Sequence, residues 1–238
     1  MTRGMQAMND PGRDRRPSLW PLFGLRLATA RLELAPVGDD DLDELTALAQ
    51  RGIHDPETTP FSNRWTDRSG AEFERGFAQY FWSQRASWSP AAWAVPFAVR
   101  WNGALVGVQQ LQSVDFAVLR AVTTSSWLGQ SFQGKGIGTE MRGAVLSFSF
   151  DVLGADVATS GAYDYNPASV RVSEKLGYER NGVRRDNVRS KAVEAVLFRM
   201  TRGLWFCRPR PVVAVDGVEA CLELFGAGAR DAHLTPVA

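Results

Sequence analysis

The sequence predicts an α/β fold of the α+β kind, a mixed central sheet with helices on both faces, and three observations predict it. Short β-branched runs alternate with amphipathic helical segments in the order βααβββαβαββ. One apolar strand, Val122 to Leu128, passes into a long amphipathic helix through the run Gln133-Gly134-Lys135-Gly136-Ile137-Gly138, with three alternating glycines. The chain's 238 residues, 45% of them hydrophobic, suffice for one sizeable core with extensions.

Taken in order, Arg31 to Ala35 alternates polar and apolar side chains and reads as a first strand. Asp39-Asp40-Asp41 supplies an N-cap and an acidic first turn to a helix with Leu42, Leu45 and Leu48 on one face. Residues 52–65, with Pro56 and Pro60, read as a loop. Ser69-Gly70-Ala71-Glu72 has capping-box spacing before Phe73, Phe77, Tyr80 and Phe81 at helical intervals. Trp93 to Trp101, Asn102-Gly103, and Ala104 to Leu111 read as a β-hairpin with a type I′ turn. A connection over Asp115 to Arg120 separates the third and fourth strands. After the glycine loop, Ile137, Met141, Ala144, Val145, Phe148 and Val152 form an apolar stripe, with Gly154 at the helix end. Asp156 to Ala162 is a fifth strand, Pro167 to Leu176 a helix, and Ala195 to Thr201 a late strand. Residues 1–17 read as a disordered leader. Residues 204–238, with a hairpin signal at Asp216-Gly217, read as a C-terminal extension that packs on the 18–203 domain, ends in disorder, and is a candidate homodimer contact.

Bulk properties narrow the function classes. A net charge of +1 gives no reason to expect nucleic acid or an anionic membrane as partner, and no apolar run approaches a bilayer span. Two cysteines, Cys207 and Cys221, are too few for a disulfide framework and fit a cytoplasmic protein. Two histidines make no metal site, so no metal is expected. The glycine loop is the informative feature. Glycines let backbone approach a ligand closely, and a helix start offers unpaired N–H groups at the positive end of its dipole. A diphosphate is the natural guest. The spacing misses the dinucleotide fingerprint, and Lys135 is followed by Gly136 rather than by the Ser or Thr of a nucleotide-triphosphate loop.

Gln133 to Gly138 resembles the Gln/Arg-x-x-Gly-x-Gly/Ala pyrophosphate loop of the GNAT (GCN5-related) N-acetyltransferases. About thirty residues on, Asn166-Pro167-Ala168-Ser169 through Ser173-Glu174-Lys175-Leu176-Gly177-Tyr178 resembles the Asn-x-x-Ala/Ser…Glu-Lys-Leu-Gly-Phe/Tyr helix of the same superfamily. Trp127-Leu128-Gly129 and Gly136 to Met141 resemble the ribosomal-protein acetyltransferase branch. Leu19 to Phe23, Gly52 to Trp65 and Val215 to Gly226 are similar to an actinobacterial GNAT group that includes a mycobacterial protein succinyltransferase. The resemblance covers residues 18–226 and implies an acyl-CoA-dependent N-acyltransferase: a sheet whose fourth and fifth strands splay to admit the pantetheine arm, and direct attack by an amine acceptor in a ternary complex.

The resemblance also implies the site. Backbone N–H groups of Gly134, Lys135, Gly136, Ile137, Gly138 and Thr139 would hold the pyrophosphate, with Gln133 in the motif and Lys135 adding charge at the rim. The backbone of Trp127, Leu128 and Gly129 would pair with the arm, and Leu128 would serve the thioester oxyanion. Asn166 is both an N-cap before a first-turn proline and a contact to the arm, with Ser169 beside it. Many relatives carry a tyrosine where this chain has Ser173, which makes Ser173 the candidate partner of the departing thiolate. An attacking amine must be neutral, so a base is expected. Asp115 is the first choice, with Asp164 and Glu194 behind it. Phe61 and Trp65 are candidate acceptor walls; His54 shares their loop. The donor is acetyl-CoA or succinyl-CoA; a succinyl carboxylate would need a partner such as Gln109, Gln110 or the arginines of residues 184–189. A second reading is a catalytically idle acyl-CoA sensor, favoured by the absent tyrosine and distinguished by whether any amine is turned over.

Overall fold

The computed structural model describes residues 19–227. The leader expected over residues 1–17 and the end of the extension lie outside the described residues. Strand β1 (Arg26–Ala28) pairs antiparallel with β2 (Leu32–Pro36). Helices α1 (Leu42–Gln50) and α2 (Gly70–Ala86) follow, then the hairpin β3 (Ala92–Trp101) and β4 (Ala104–Val114). A single helical turn, α3 (Phe116–Leu119), leads to β5 (Ala121–Leu128). Helix α4 (Ile137–Ser147), β6 (Val157–Tyr163) and α5 (Pro167–Leu176) complete the central unit. The chain then forms the hairpin β7 (Glu179–Val188) and β8 (Lys191–Thr201), the short α6 (Arg202–Phe206) and β9 (Ala214–Asp216).

The nine strands form one sheet in the order β7-β8-β6-β5-β4-β3-β2-β1-β9, with β5 and β6 its parallel pair. Because β1 precedes the first strand expected from sequence, the expected fourth and fifth strands are β5 and β6. One face carries the larger core, where Val145, Leu146, Phe148 and Phe150 pack on Leu34, Phe97 and Leu111. On the other face α1 and α2 bury Leu42, Leu45, Phe73, Phe77 and Phe81 against Ala98 and Val108. Both faces are covered, so β4 is buried along most of its length.

Several local expectations are corrected. Asp39–Asp41 form a 3-10 turn rather than a side-chain cap: the Asp41 carboxylate accepts from the Gly38 N–H and pairs with Arg100 at 2.7 Å. Ser69 starts α2 without a side-chain cap bond, and the Glu72 side chain turns to Arg68. The α4 stripe ends early in a π turn (Phe148–Val152), leaving Val152 exposed. Asp216-Gly217 does not turn a hairpin. β9 pairs with β1 at the sheet edge, and the chain continues into a 3-10 turn (Leu222–Phe225) that buries Phe225 against Trp88, Trp93 and Phe148.

Candidate active site

The pairing of β5 with β6 stops early. Their register runs from Ala121↔Val157 to Thr123↔Thr159, and beyond it the strands diverge into a cleft of about 1230 Å³. Hydroxyls close its apex: Thr123 and Thr159 share a 2.8 Å hydrogen bond, and Thr124 Oγ1 donates to the Thr159 carbonyl at 3.4 Å.

The ladders on either side determine which backbone groups face this cleft. The Gly129 N–H donates to the Val106 carbonyl at 3.0 Å, which makes Gly107 and Leu128 a non-hydrogen-bonded pair of the β4–β5 ladder. Alternation along an antiparallel ladder then turns the N–H and C=O of Leu128 and Ser126 toward β6, and those of Trp127 toward β4. On the far side the Asp164 N–H donates to the Glu194 carbonyl at 3.1 Å, so Gly161 turns its polar groups toward β5 by the same rule. Of the three residues expected to offer backbone to the arm, only Leu128 is placed to do so. Trp127 and Gly129 are engaged with β4.

The glycine loop sits at the open end. Gly134 and Gly136 hold φ of 73° and 79°, left-handed values that a β-carbon makes costly, and Gly136 is the N-cap of α4. Thr139 and Glu140 donate to the Gly136 carbonyl at 3.1 Å, whereas the amides from Gly134 to Gly138 have no hydrogen-bond partner among the described residues. That leaves a run of five free amides, one fewer than expected, because Thr139 is engaged. A methyl group on Gly138 would meet Val172 at 3.6 Å and Leu128 at 3.7 Å, ordinary contact distances, so packing alone does not require glycine there. Gln133 proves structural: its Nε2 donates to the carbonyls of Ile53 at 2.8 Å and Leu128 at 3.0 Å, tying the loop after α1 to the end of β5. The Lys135 ammonium lies 5.5 Å from the Trp101 ring and 5.7 Å from that of Phe132. Sequence reasoning missed Arg31, whose guanidinium lies beside Gly136 and bonds the Lys135 carbonyl and Glu140.

At the start of α5, Asn166 accepts from the Ser169 N–H at 3.2 Å, and both residues line the cleft. Ser173 does not. It is fully buried, its hydroxyl accepting from Arg142 Nη1 at 2.9 Å and donating to the Ser169 carbonyl at 3.3 Å. Arg142 stands between it and the cleft, lining the wall and reaching Ser126 Oγ at 3.4 Å through Nη2. Only 4% of Arg142 is exposed. Its Nε has no hydrogen-bond partner, and no carboxylate pairs with it among the described residues. Burial pulls its pKa below the usual arginine value, and the neighbouring Tyr178 acts in the opposite sense. Sequence reasoning missed Arg142 as well, because a charged residue directly after Met141 of the apolar stripe carries no signal of burial.

Two further expectations are overturned. Asp115 lies outside the cleft: β4 runs antiparallel to β5, so its C-terminal end sits beside the start of β5, where β5 and β6 are still paired. Gln109 is fully buried and faces away from the cleft, its Nε2 bonded to the carbonyls of Gln110 and Ser125. The neighbouring Gln110, on the opposite face, lines the cleft and links Tyr80 to Gln112.

The wall expected to face the acceptor is aromatic. Phe61 and Trp65 come together with ring centroids 5.1 Å apart, and Trp127 packs 6.2 Å from both Trp65 and Phe77. His54 meets Phe61 edge-to-face, but its two ring nitrogens are engaged with the Asp55 carbonyl and Thr66 Oγ1. Arg189, in the β7–β8 turn, pairs with Asp67 and donates to the Pro56 carbonyl at 3.0 Å, while Tyr165 donates to the Thr59 carbonyl at 2.7 Å. These bonds latch the hairpin and the start of α5 to the aromatic loop. The ionisable side chains lining the cleft are Asp55, His54, Tyr80, Tyr163, Tyr165 and the cations Arg68, Arg142, Arg171, Lys175 and Arg184, of which Arg68 pairs with Glu72 and Arg184 with Asp186.

Comparison with known proteins agrees with this geometry. Residues 31–179 match the family model described as acetyltransferase (GNAT) domain. The Bacillus subtilis (strain 168) protein named probable N-acetyltransferase YjcK is 30% identical over 89 residues, 37% of this chain and 49% of that protein, so the match spans about half of the relative. Among solved structures, Mycobacterium smegmatis RimJ in complex with CoA-disulfide superposes with a TM-score of 0.63 at 18% identity, covering 84% of this chain and 92% of that one. The ribosomal L7/L12 alpha-N-protein acetyltransferase RimL in complex with coenzyme A gives 0.57 at 15% identity, covering 73% and 95%. With the splayed strands, the free amide run and the family match over most of its length, the chain belongs to the GNAT acetyltransferase family.

Proposed function

We propose that this protein transfers an acetyl group from acetyl-CoA to the α-amine of a polypeptide N-terminus, by direct attack in a ternary complex. The observation that carries the donor half is the partnerless amide run from Gly134 to Gly138 at the mouth of the β5–β6 cleft. Acetyl-CoA would supply the activated acyl carbon and a thiol leaving group. The loop amides hold its diphosphate, with Lys135 and Arg31 at the rim. The Leu128 N–H, turned toward the gap, donates to the thioester carbonyl oxygen, where such a donor is worth about 3 kcal/mol of transition-state stabilisation. Asn166 and Ser169 border the arm.

The acceptor half rests on the cations of the cleft wall. An α-amine, with a pKa near 8, is about one-quarter neutral at pH 7.5, whereas a lysine, near 10.4, is neutral in only about one molecule in a thousand. A basic wall lowers an ammonium pKa further and repels polycations. It favours an acceptor presenting one amine that loses its proton readily, and water at the open cleft takes that proton. Phe61, Trp65 and Trp127 then grip the first side chain of the acceptor.

The test pairs acetyl-CoA and succinyl-CoA with two peptides, one with a free N-terminus and no lysine, the other N-terminally blocked with one lysine. Mass spectrometry locates the product. Acetylation of the free N-terminus is expected. Preferential modification of the lysine, or preferential use of succinyl-CoA, would overturn the corresponding half of the reading, and turnover of any amine would exclude an idle sensor.

A further inference from the structure

Arg142 is a buried cation that lacks a counter-anion among the described residues and faces the cleft. Burying an unpaired charge is costly, so the arrangement calls for an anion that occupies the site for part of a catalytic cycle. Building on the acyl-transfer reading above, we propose that Arg142 receives the thiolate of coenzyme A as the thioester breaks, with Ser173 and Ser126 acting as positioning residues that aim its guanidinium.

The chemistry balances as follows. The neutral amine's lone pair forms the C–N bond to the acyl carbon, and the carbonyl π pair moves to oxygen and returns. The C–S bond breaks with its electron pair on sulfur, the new ammonium loses its proton to water, and water later protonates the thiolate. The protein thus meets one transient negative sulfur, and among the described residues the cleft provides one buried unpaired cation for it, Arg171 and Lys175 being exposed. The guanidinium is fixed from two sides, by Ser173 of α5 at 2.9 Å and by Ser126 of β5 at 3.4 Å, while Nε keeps a free proton. Ser126 also turns its backbone into the gap, so the cation stands beside the edge along which the arm would run. The groups around it agree. Tyr178, reached from the end of α5, is buried and held by Thr124, with burial pushing its phenol above the usual tyrosine value. Arg171 and Lys175 of α5 line the same cleft as cations. Glu140, on the same helix as Arg142, is turned away to Thr29 and Arg31. Ser173 therefore meets the leaving group through Arg142.

The experiment titrates free coenzyme A bound to the wild-type protein and to Arg142→Gln, following thiolate absorbance in the ultraviolet. Desulfo-coenzyme A, with hydrogen in place of the thiol, is the control ligand. In the wild type the bound thiol should deprotonate at least about one pH unit below the free thiol, so coenzyme A binds more tightly as pH rises while desulfo-coenzyme A does not. In Arg142→Gln the thiol should titrate as in free solution, desulfo-coenzyme A should bind as in the wild type, and Arg142→Lys should restore part of the shift. A wild-type thiol that titrates as free, or a shift that survives Arg142→Gln, overturns the inference. The wild-type titration decides this even if the glutamine variant does not fold. A loss confined to succinyl-CoA affinity would make Arg142 a carboxylate site instead. If neither coenzyme A nor its desulfo analogue binds, the acyl-transfer reading itself fails.

Discussion

Gly136 is the position where charge and backbone shape can be separated most cleanly. It caps α4 at φ 79°, and a β-carbon there would meet only the end of the Arg31 side chain, at 3.4 Å. Asparagine and aspartate are isosteric, and both visit the left-handed region more readily than other side chains, so Gly136→Asn and Gly136→Asp share the backbone cost of about 1 kcal/mol and differ in one negative charge. At roughly 5 Å and an effective dielectric of about 20, that charge repels each unit charge of a bound diphosphate by about 3 kcal/mol. Partial neutralisation by Arg31 and screening reduce the sum, leaving about 3 kcal/mol, or roughly a hundredfold in affinity. Isothermal titration with coenzyme A should therefore show Gly136→Asn within about tenfold of the wild type and Gly136→Asp at least about a hundredfold weaker than Gly136→Asn, with the gap narrowing in high salt. Equal affinities for the two folded variants would refute the claim that the loop amides hold the diphosphate.

Four further outcomes follow from the packing. Phe225→Ala should destabilise the fold by about 3–5 kcal/mol in chemical denaturation, because the ring is fully buried among Trp88, Trp93 and Phe148. A chain ending at residue 203 should likewise fail to fold, since residues 204–227 then act as part of the domain. Asp67 is held at a pKa of about 2, first by its hydrogen bond from Arg189 and then by that from Arg64. Its folded pKa lies below the unfolded value near 3.9, so the latch contributes fully above about pH 4 and fades as pH falls toward 2. The stability gap between the wild type and Asp67→Asn should shrink over that window, with hydrogen exchange at residues 188–191 as the local readout. Trp65→Ala should raise the KM for a peptide acceptor while leaving coenzyme A affinity within about twofold, because the ring belongs to the aromatic wall rather than the amide run.

What the sequence made legible was backbone chemistry written locally. The glycine loop, the Asn166-Pro167 helix start and the Asn102-Gly103 turn each depend on a few adjacent residues, and each stands where its pattern places it. The splay of β5 and β6 was legible through family likeness alone, since nothing in either strand's composition marks where pairing stops. Side-chain direction was not legible. Gln109 and Gln110 alternate between two covered faces, so no solvent-facing pattern separates the cleft residue from the buried one. Asp115 looked close to the chemistry because it ends a central strand, but the direction of that strand carries it to the wrong end. Arg142 was invisible for the converse reason: a charged residue beside an apolar stripe ordinarily marks a solvated flank, and only the approach of α5 and β5 buries it. Ser173 was placed correctly on its helix, but what covers it is a tertiary fact.

The most direct test of the central claim, that the β5–β6 cleft binds acyl-CoA, is thermal unfolding of the intact chain with acetyl-CoA, coenzyme A or NADH at equal concentrations. A ligand at about a hundred times its dissociation constant adds about 2.7 kcal/mol, which for a chain of this size raises Tm by roughly 5–10 °C. Acetyl-CoA and coenzyme A should both produce such a shift and NADH should leave Tm unchanged; no shift with either coenzyme A species would contradict the account.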